Sequence, residues 1–243
     1  MIADNELLGG GGQLTGFFSG FPKFFETSIT GSSAERLNAR YRAIIAANQH
    51  LLHAKRILDV ASHDGRWSFA ALKAGAAHVT GIEGRKHLVA NANENLAFYE
   101  APSNRYEFIL GDVFEVMKQR RIQVDAALVL GFFYHTDRHV ELAALLAATG
   151  ASHIILDTNI LPARENASGA ALTKLFAEPT ASEANAIGAG PSAIVGHPSR
   201  EAIRLIFSQH GFSAMEFDWG PMLGGPGLAD YNEDRRSTFV LSR

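Results

Sequence analysis

The stretch RILDVASHDGRWSFAALKAGAAHVTGIEGR, Arg56 to Arg85, decides how this chain is read. Arg56–Ser62 is dominated by an apolar run without polar alternation, which predicts a strand covered on both faces. A tight turn follows, then a helix over Trp67–Ala74 closed by Gly75, the residue that best tolerates the left-handed position after a helix end. His78–Gly84 predicts a second strand, with Glu83 at its end. Strand, turn, helix and acid-tipped strand outline a nucleotide-binding half-fold, yet the turn lacks the G-x-G-x-x-G pattern. A pyrophosphate would want those glycines and the helix N-terminus. The missing glycines therefore favour a ligand without phosphates.

The same alternation continues outward. Arg85–Tyr99 is a second helix, Tyr106–Leu110 a third strand, VDAALVLGFFYH a fourth, Val140–Thr149 a helix and SHIILDTNI a fifth strand. Such regularity predicts an α/β fold: a doubly wound, mostly parallel seven-stranded sheet with helices on both faces. The helix PSREAIRLIFSQHGF, capped by Ser199, and the runs SAMEFDWG and STFVLSR close the chain, the last as an antiparallel C-terminal strand. Leu161–His197 breaks the rhythm; we expect a short helix over Ala170–Ala177 within a lid inserted over the active face at about 160–198. Residues 1–50 are expected to form an N-terminal cap, with Gly9 to Gly12 flexible, five phenylalanines between Phe17 and Phe25, and a helix from Ser33. The phenylalanines either pack on the body or cover a ligand. Residues 51–243 form the main domain.

Composition narrows the function classes. The chain has 243 residues, 47% hydrophobic and 19% charged, with a formal net charge of -3. That charge disfavours nucleic acid as a partner, which usually meets a basic stripe. With no cysteine, disulfides, thiolate metal sites and cysteine nucleophiles are excluded. Neither a signal peptide nor a membrane-length apolar run is visible, so a cytoplasmic location is expected.

The arrangement of acids resembles the class I (Rossmann-like) S-adenosylmethionine-dependent methyltransferases, from about Ala34 to the C-terminus. LDVASHDG is similar to that family's first motif, an acid followed by a turn around the methionine part of the cofactor. Glu83 matches the acid that receives the ribose hydroxyls, and Asp112 of GDVF matches the acid facing the adenine amino group. The resemblance implies S-adenosyl-L-methionine as cofactor, S-adenosyl-L-homocysteine as product, and cofactor contacts from Asp59, Ala61, Ser62, His63, Gly65, Glu83, Gly84, Asp112, Val113 and Gly131. Family members usually have glycine where Ala61 and His63 stand. Asp64 either caps the following helix or reaches the cofactor's ammonium. Arg40, with Arg36 and Tyr41 on the helix before the first strand, matches an arginine that some members aim at the cofactor's carboxylate.

LGFFYHTDRH ends the fourth strand, beside the transferred methyl in related enzymes. His135 is placed to take a proton, since an imidazole titrates near neutrality; its alternative role is a helix cap. Tyr134 is a wall or hydrogen-bond donor. His135, Asp137, His139, Asp157 and Asn159 also permit a metal reading, but magnesium wants oxygen ligands and the fourth strand ends without an acid, so no metal is expected. The implied reaction is methyl transfer to an oxygen or nitrogen of a small-molecule acceptor. An RNA-modifying enzyme of the same fold, a Rossmann oxidoreductase and a non-catalytic cofactor-binding protein are the rivals.

Overall fold

The computed structural model describes residues 16–30, 32–179 and 192–243; Gly9 to Gly12 lie outside the described residues. The chain enters through α1 (Lys23–Glu26), α2 (Ala34–Tyr41), a wide π-helical turn at Arg42–Ala46 and α3 (Gln49–Leu52). Strands and helices then alternate: β1 (Arg56–Val60), α4 (Arg66–Lys73), β2 (His78–Glu83), α5 (Lys86–Phe98), β3 (Tyr106–Leu110), α6 (Val113–Gln119), β4 (Ala126–Leu130), α7 (His139–Ala148) and β5 (His153–Asn159). A ribbon of β6 (Thr173–Pro179) and β7 (Ser192–Pro198) intervenes before α8 (Arg200–Ser208), β8 (Ser213–Glu216), α9 (Ala229–Asn232) and β9 (Arg236–Ser242).

The main sheet has seven strands in the order β3-β2-β1-β4-β5-β9-β8. Strands β1 to β5 are parallel, and β9 is antiparallel to both β5 and β8. Both faces are covered, as the continuous apolar strands require. Ile57, Leu128 and Ile155 point to one core with Phe18, Leu37 and Phe69; Leu58, Val129 and Leu156 point to the other with Phe114, Leu142 and Phe207. Strand alternation then puts Asp59 and Asp157 on the first face, where α2 and α4 lie. From β1 the chain turns toward β2, whereas from β4 it turns toward β5. The carboxyl ends of this neighbouring pair therefore flank an open crevice.

The phenylalanines are core. Phe18 and Phe24 are fully buried, Phe17 stacks on Tyr41 at 4.2 Å, and Phe21 and Phe24 meet Phe69 and Tyr99. Of the two expected roles they take packing. The helix expected over Ala170–Ala177 is replaced by β6, whose Thr173 to Pro179 pair with Pro198 to Ser192 of β7. Pairing with a strand nearly twenty residues on supplies hydrogen bonds that an isolated short helix would not hold in water.

Candidate active site

A cavity of about 540 Å³ opens at the crevice. Asp59, Ala61 and His63 reach it from β1 and the turn beyond, Glu83 and Gly84 from β2, Asp112 and Val113 from the start of α6, and Gly131, Tyr134 and His135 from the end of β4. Arg40 enters from α2. Ser62 and Gly65, two expected contacts, stand off the wall. The Ser62 amide donates to the Ile82 carbonyl at 2.9 Å and its hydroxyl faces Gly81, whereas Gly65 is wedged among Ala92, Leu96 and Phe108. Both shape the turn from behind.

The turn does without most glycines by strain. Ala61 and His63 both sit at φ 55°, the left-handed region that glycine enters freely. His63 is held there by its amide, which donates to Glu83 Oε2 at 2.9 Å. Glu83 also accepts from Arg85: the amide and Nε reach Oε1 at 3.0 and 2.8 Å, and Nη2 reaches Oε2 at 3.2 Å. Asp112 uses Oδ1 to cap α6, accepting from the amides of Phe114 and Glu115 at 3.0 and 3.1 Å; Oδ2 takes no part in that cap. Asp64 is not a helix cap. Gly65 occupies the cap position of α4 with no side-chain bond, and Asp64 instead pairs with Arg66 at 2.7 Å and accepts from Thr27 at 2.8 Å.

Arg40 is buried beside Trp67, with its guanidinium 5.1 Å from the ring centroid. Nη2 donates to Asp157 at 2.9 Å, but Nε is buried without a partner. Arg36, the other candidate on α2, is spoken for by Asp230 at 2.6 and 2.7 Å. His135 closes a single 3₁₀ turn, Phe133–His135, and its Nδ1 lies 2.9 Å from Glu178 Oε2 on β6.

Residues 57–150 match the family model for a methyltransferase domain. The part of the chain that is similar to a methyltransferase domain runs from β1 to α7, the elements that build the crevice. Two putative ribosomal RNA large subunit methyltransferases of Methanocaldococcus jannaschii are 41% and 38% identical over 64 residues. Those matches cover 26% of this chain and only 16% of each relative. Among solved structures, the N-terminal domain of EvdMO1 with SAH bound aligns at TM-score 0.63 and 19% identity, over 89% of this chain and 84% of that one. Magnesium protoporphyrin IX methyltransferase from Synechocystis PCC 6803 aligns at TM-score 0.57 and 15% identity, over 93% and 94%. A putative RNA methyltransferase from Pyrococcus horikoshii aligns at TM-score 0.51 and 16%, over 84% and 83%.

Charge is distributed unevenly around the first cavity. Complete burial, with Glu83 and Asp64 nearby, outweighs a bond from Ser68 and pushes the Asp59 carboxyl up to about 7. Burial acts on Asp64 in the same sense, but His63 and Arg66 more than offset it and hold that carboxyl at about 2. Asp157, also fully buried, is held well below the usual carboxylate range by Arg236 and Arg40. It accepts from Arg236 Nε at 2.7 Å, Tyr231 at 2.6 Å and Thr238 at 2.7 Å as well. The five residues of the metal reading are not brought together as ligands. Asp157 is taken by arginines, His139 Nε2 meets the Phe133 carbonyl at 2.9 Å, and among the described residues no group of three or more His, Asp or Glu is placed for a metal ion.

A second cavity of about 570 Å³ adjoins the first and shares Arg36, Tyr134 and Arg236 with it. Its remaining wall comes from Asn159–Pro162 and Glu165, from Lys174, Phe176 and His197 of the ribbon, and from Asp230 and Arg235. Several residues that hold the two cavities together carry no local sign of a role. Arg236 and Tyr231 matter through Asp157, and Glu178 through His135, contacts made across long separations. Arg85 is the exception: a cation two residues beyond the strand-end acid is a local signal of a partner for Glu83, and sequence reasoning passed over it.

Proposed function

We propose that the first cavity binds S-adenosyl-L-methionine and that the protein transfers its methyl group to an oxygen or nitrogen of a small-molecule acceptor held in the second cavity. The observation that carries this reading is the set of Glu83, Asp112 and Arg40 around one cavity large enough for a small-molecule ligand. The residues fit the cofactor. The orphaned Nε of Arg40 is a buried donor that a ligand carboxylate satisfies. Glu83 suits ribose hydroxyls once the Arg85 side chain withdraws, and Asp112 Oδ2 suits an exocyclic amino group.

Bound there, the cofactor supplies an electrophilic methyl on a sulfonium and leaves as the neutral thioether S-adenosyl-L-homocysteine. The protein's contribution is placement: aligned reactants in a closed site gain roughly 7–11 kcal/mol at best. Tyr134 and Arg236 border both cavities, so they sit where an acceptor and a cofactor would meet. His135 stands at the same rim to accept a proton, a contribution of about 10²–10⁴-fold where the acceptor must lose one.

Calorimetric titration with S-adenosyl-L-homocysteine tests the reading. Asp112→Asn is the informative variant, because an amide oxygen keeps the α6 cap while its nitrogen presents donors to a donor. We expect binding by the wild type and about tenfold weaker binding by the variant, the equivalent of 1.4 kcal/mol. A wild type that ignores the ligand would sink the proposal. The names of the two archaeal relatives favour RNA as a second acceptor class. Against it stands the formal charge of -3; RNA binding that is tight at low salt and collapses as salt rises would reverse that judgement.

A further inference from the structure

The inserted ribbon brings more than a wall to the site. Glu178 of β6 meets His135 from outside the sheet, 43 residues further along the chain, at 2.9 Å. We propose that Glu178 is a positioning residue that fixes the proton of His135 on Nδ1, so that Nε2 is the atom that takes a proton from a hydroxyl-bearing acceptor. This rests on the methyl-transfer reading above and narrows its acceptor to an O–H group.

The geometry leaves little choice of tautomer. An ionised carboxylate only accepts, so the neutral imidazole must donate through Nδ1 and carry its lone pair on Nε2. The ring cannot easily swing away. Its backbone amide donates to the Phe132 carbonyl at 2.8 Å, and the Tyr134 ring lies 4.0 Å away, centroid to centroid. Phe133, two residues earlier, is fully buried against Phe207 and His139. The turn is thus anchored in the core while its last side chain reaches the rim.

Among the described residues, the charged and titratable groups around the imidazole are Glu178 from β6, His197 from β7, Arg236 from β9, Arg85 beyond β2, and Tyr134 beside it. Burial holds His135 below its ordinary value, with Arg236 and Arg85 acting in the same direction and Glu178 opposing them. The ring is therefore neutral, and able to accept, at physiological pH. His197 lies lower still, at about 4, chiefly through burial, and adds no competing charge there.

A hydroxyl acceptor needs this base because its oxygen is a poor nucleophile until its proton is leaving. As the oxygen forms its bond to the methyl carbon, the carbon–sulfur bond breaks toward sulfur and the acceptor proton passes to Nε2. A carboxylate acceptor would have no proton to give and no use for the pair.

The experiment reads the proton itself. The full chain is labelled with ¹⁵N-histidine, His135 is assigned by comparison with His135→Gln, and long-range ¹H–¹⁵N spectra are followed from acid to neutral pH. In the wild type we expect a neutral His135 with a protonated Nδ1 and a bare Nε2. In Glu178→Gln, which has lost the charge, and in Glu178→Ala, the titration midpoint of His135 should move down by about one on the pH scale and the Nδ1–H preference should weaken. A bare Nδ1 in the wild type, or an unchanged midpoint and tautomer in both variants, overturns the proposal. Titrating the wild type with S-adenosyl-L-homocysteine in the same buffer separates the two readings: no binding overturns the cofactor assignment and leaves the tautomer result standing.

Discussion

Glu83 has about four acceptor positions, and the protein fills four of them from within. Two go to backbone amides that the fold does not release. The other two go to Nε and Nη2 of Arg85, so the side chain occupies the places a pair of ribose hydroxyls would use. Ligand binding must displace it. Arg85→Ala should therefore tighten S-adenosyl-L-homocysteine binding by about tenfold, or 1.4 kcal/mol, measured by calorimetry; weaker binding would mean that Arg85 contacts the ligand instead. The neighbouring turn makes a separate prediction. Ala61 keeps a left-handed backbone that costs an L-residue roughly 1–2 kcal/mol. Replacing it with glycine removes that strain but loosens the unfolded chain, so Ala61→Gly should stabilise the protein by up to about 1 kcal/mol in urea denaturation. Destabilisation would show that the alanine methyl packs well enough to outweigh its backbone.

Asp157 shows how one strand end ties several elements together. It sits on β5 and is bound by Arg40 of α2, Tyr231 of α9, and Arg236 and Thr238 of β9. Asp157→Asn leaves two buried guanidiniums facing a neutral amide. Removing one member of such a network costs about 3–5 kcal/mol, so the urea midpoint should drop sharply with the slope unchanged. A shift within the scatter of surface variants would mean that water already shares those charges. The acid itself was legible at the end of an apolar strand; its partners were not. They lie 74 to 117 residues away, and only the finished topology brings them to one point. The ribbon repeats the lesson. An alanine-rich segment suggested a helix at Ala170–Ala177, but the pairing of β6 with β7 outweighed local propensity. Glu178 was missed with it, because its value depends wholly on a strand that the local pattern concealed. The five parallel strands, and the acids Asp59, Glu83, Asp112 and Asp157 in or just beyond four of them, were readable because each is written in consecutive residues.

For the whole molecule, stability against pH is a balance in which Asp59 opposes its neighbours. Its carboxyl is 1% exposed and accepts from Ser68 at 2.6 Å, yet burial carries it from 3.8 to about 7. The folded protein therefore holds a proton that the unfolded chain gives up, and Asp59's contribution to stability is full below about pH 4 and lost as pH rises through about 7. Asp64 and Asp157 have depressed values and act the other way: their contribution is present above the ordinary carboxylate range and disappears as pH falls through it. The depressed histidines His135, His139, His153 and His197 also favour the fold above their unfolded values and lose that contribution in acid. The total profile mixes these slopes, so the test must isolate one group. Asp59→Asn keeps the shape and the acceptor for Ser68 but removes the titration. Near pH 4 the variant should match the wild type. By pH 8 it should be more stable by a few kcal/mol, since a tenfold change in proton affinity is worth about 1.4 kcal/mol. Urea midpoints at pH 4, 6 and 8 decide the matter. A gap that stays constant across the series would mean that Asp59 is ionised throughout, with a counter-charge or water reaching a carboxyl that the fold encloses.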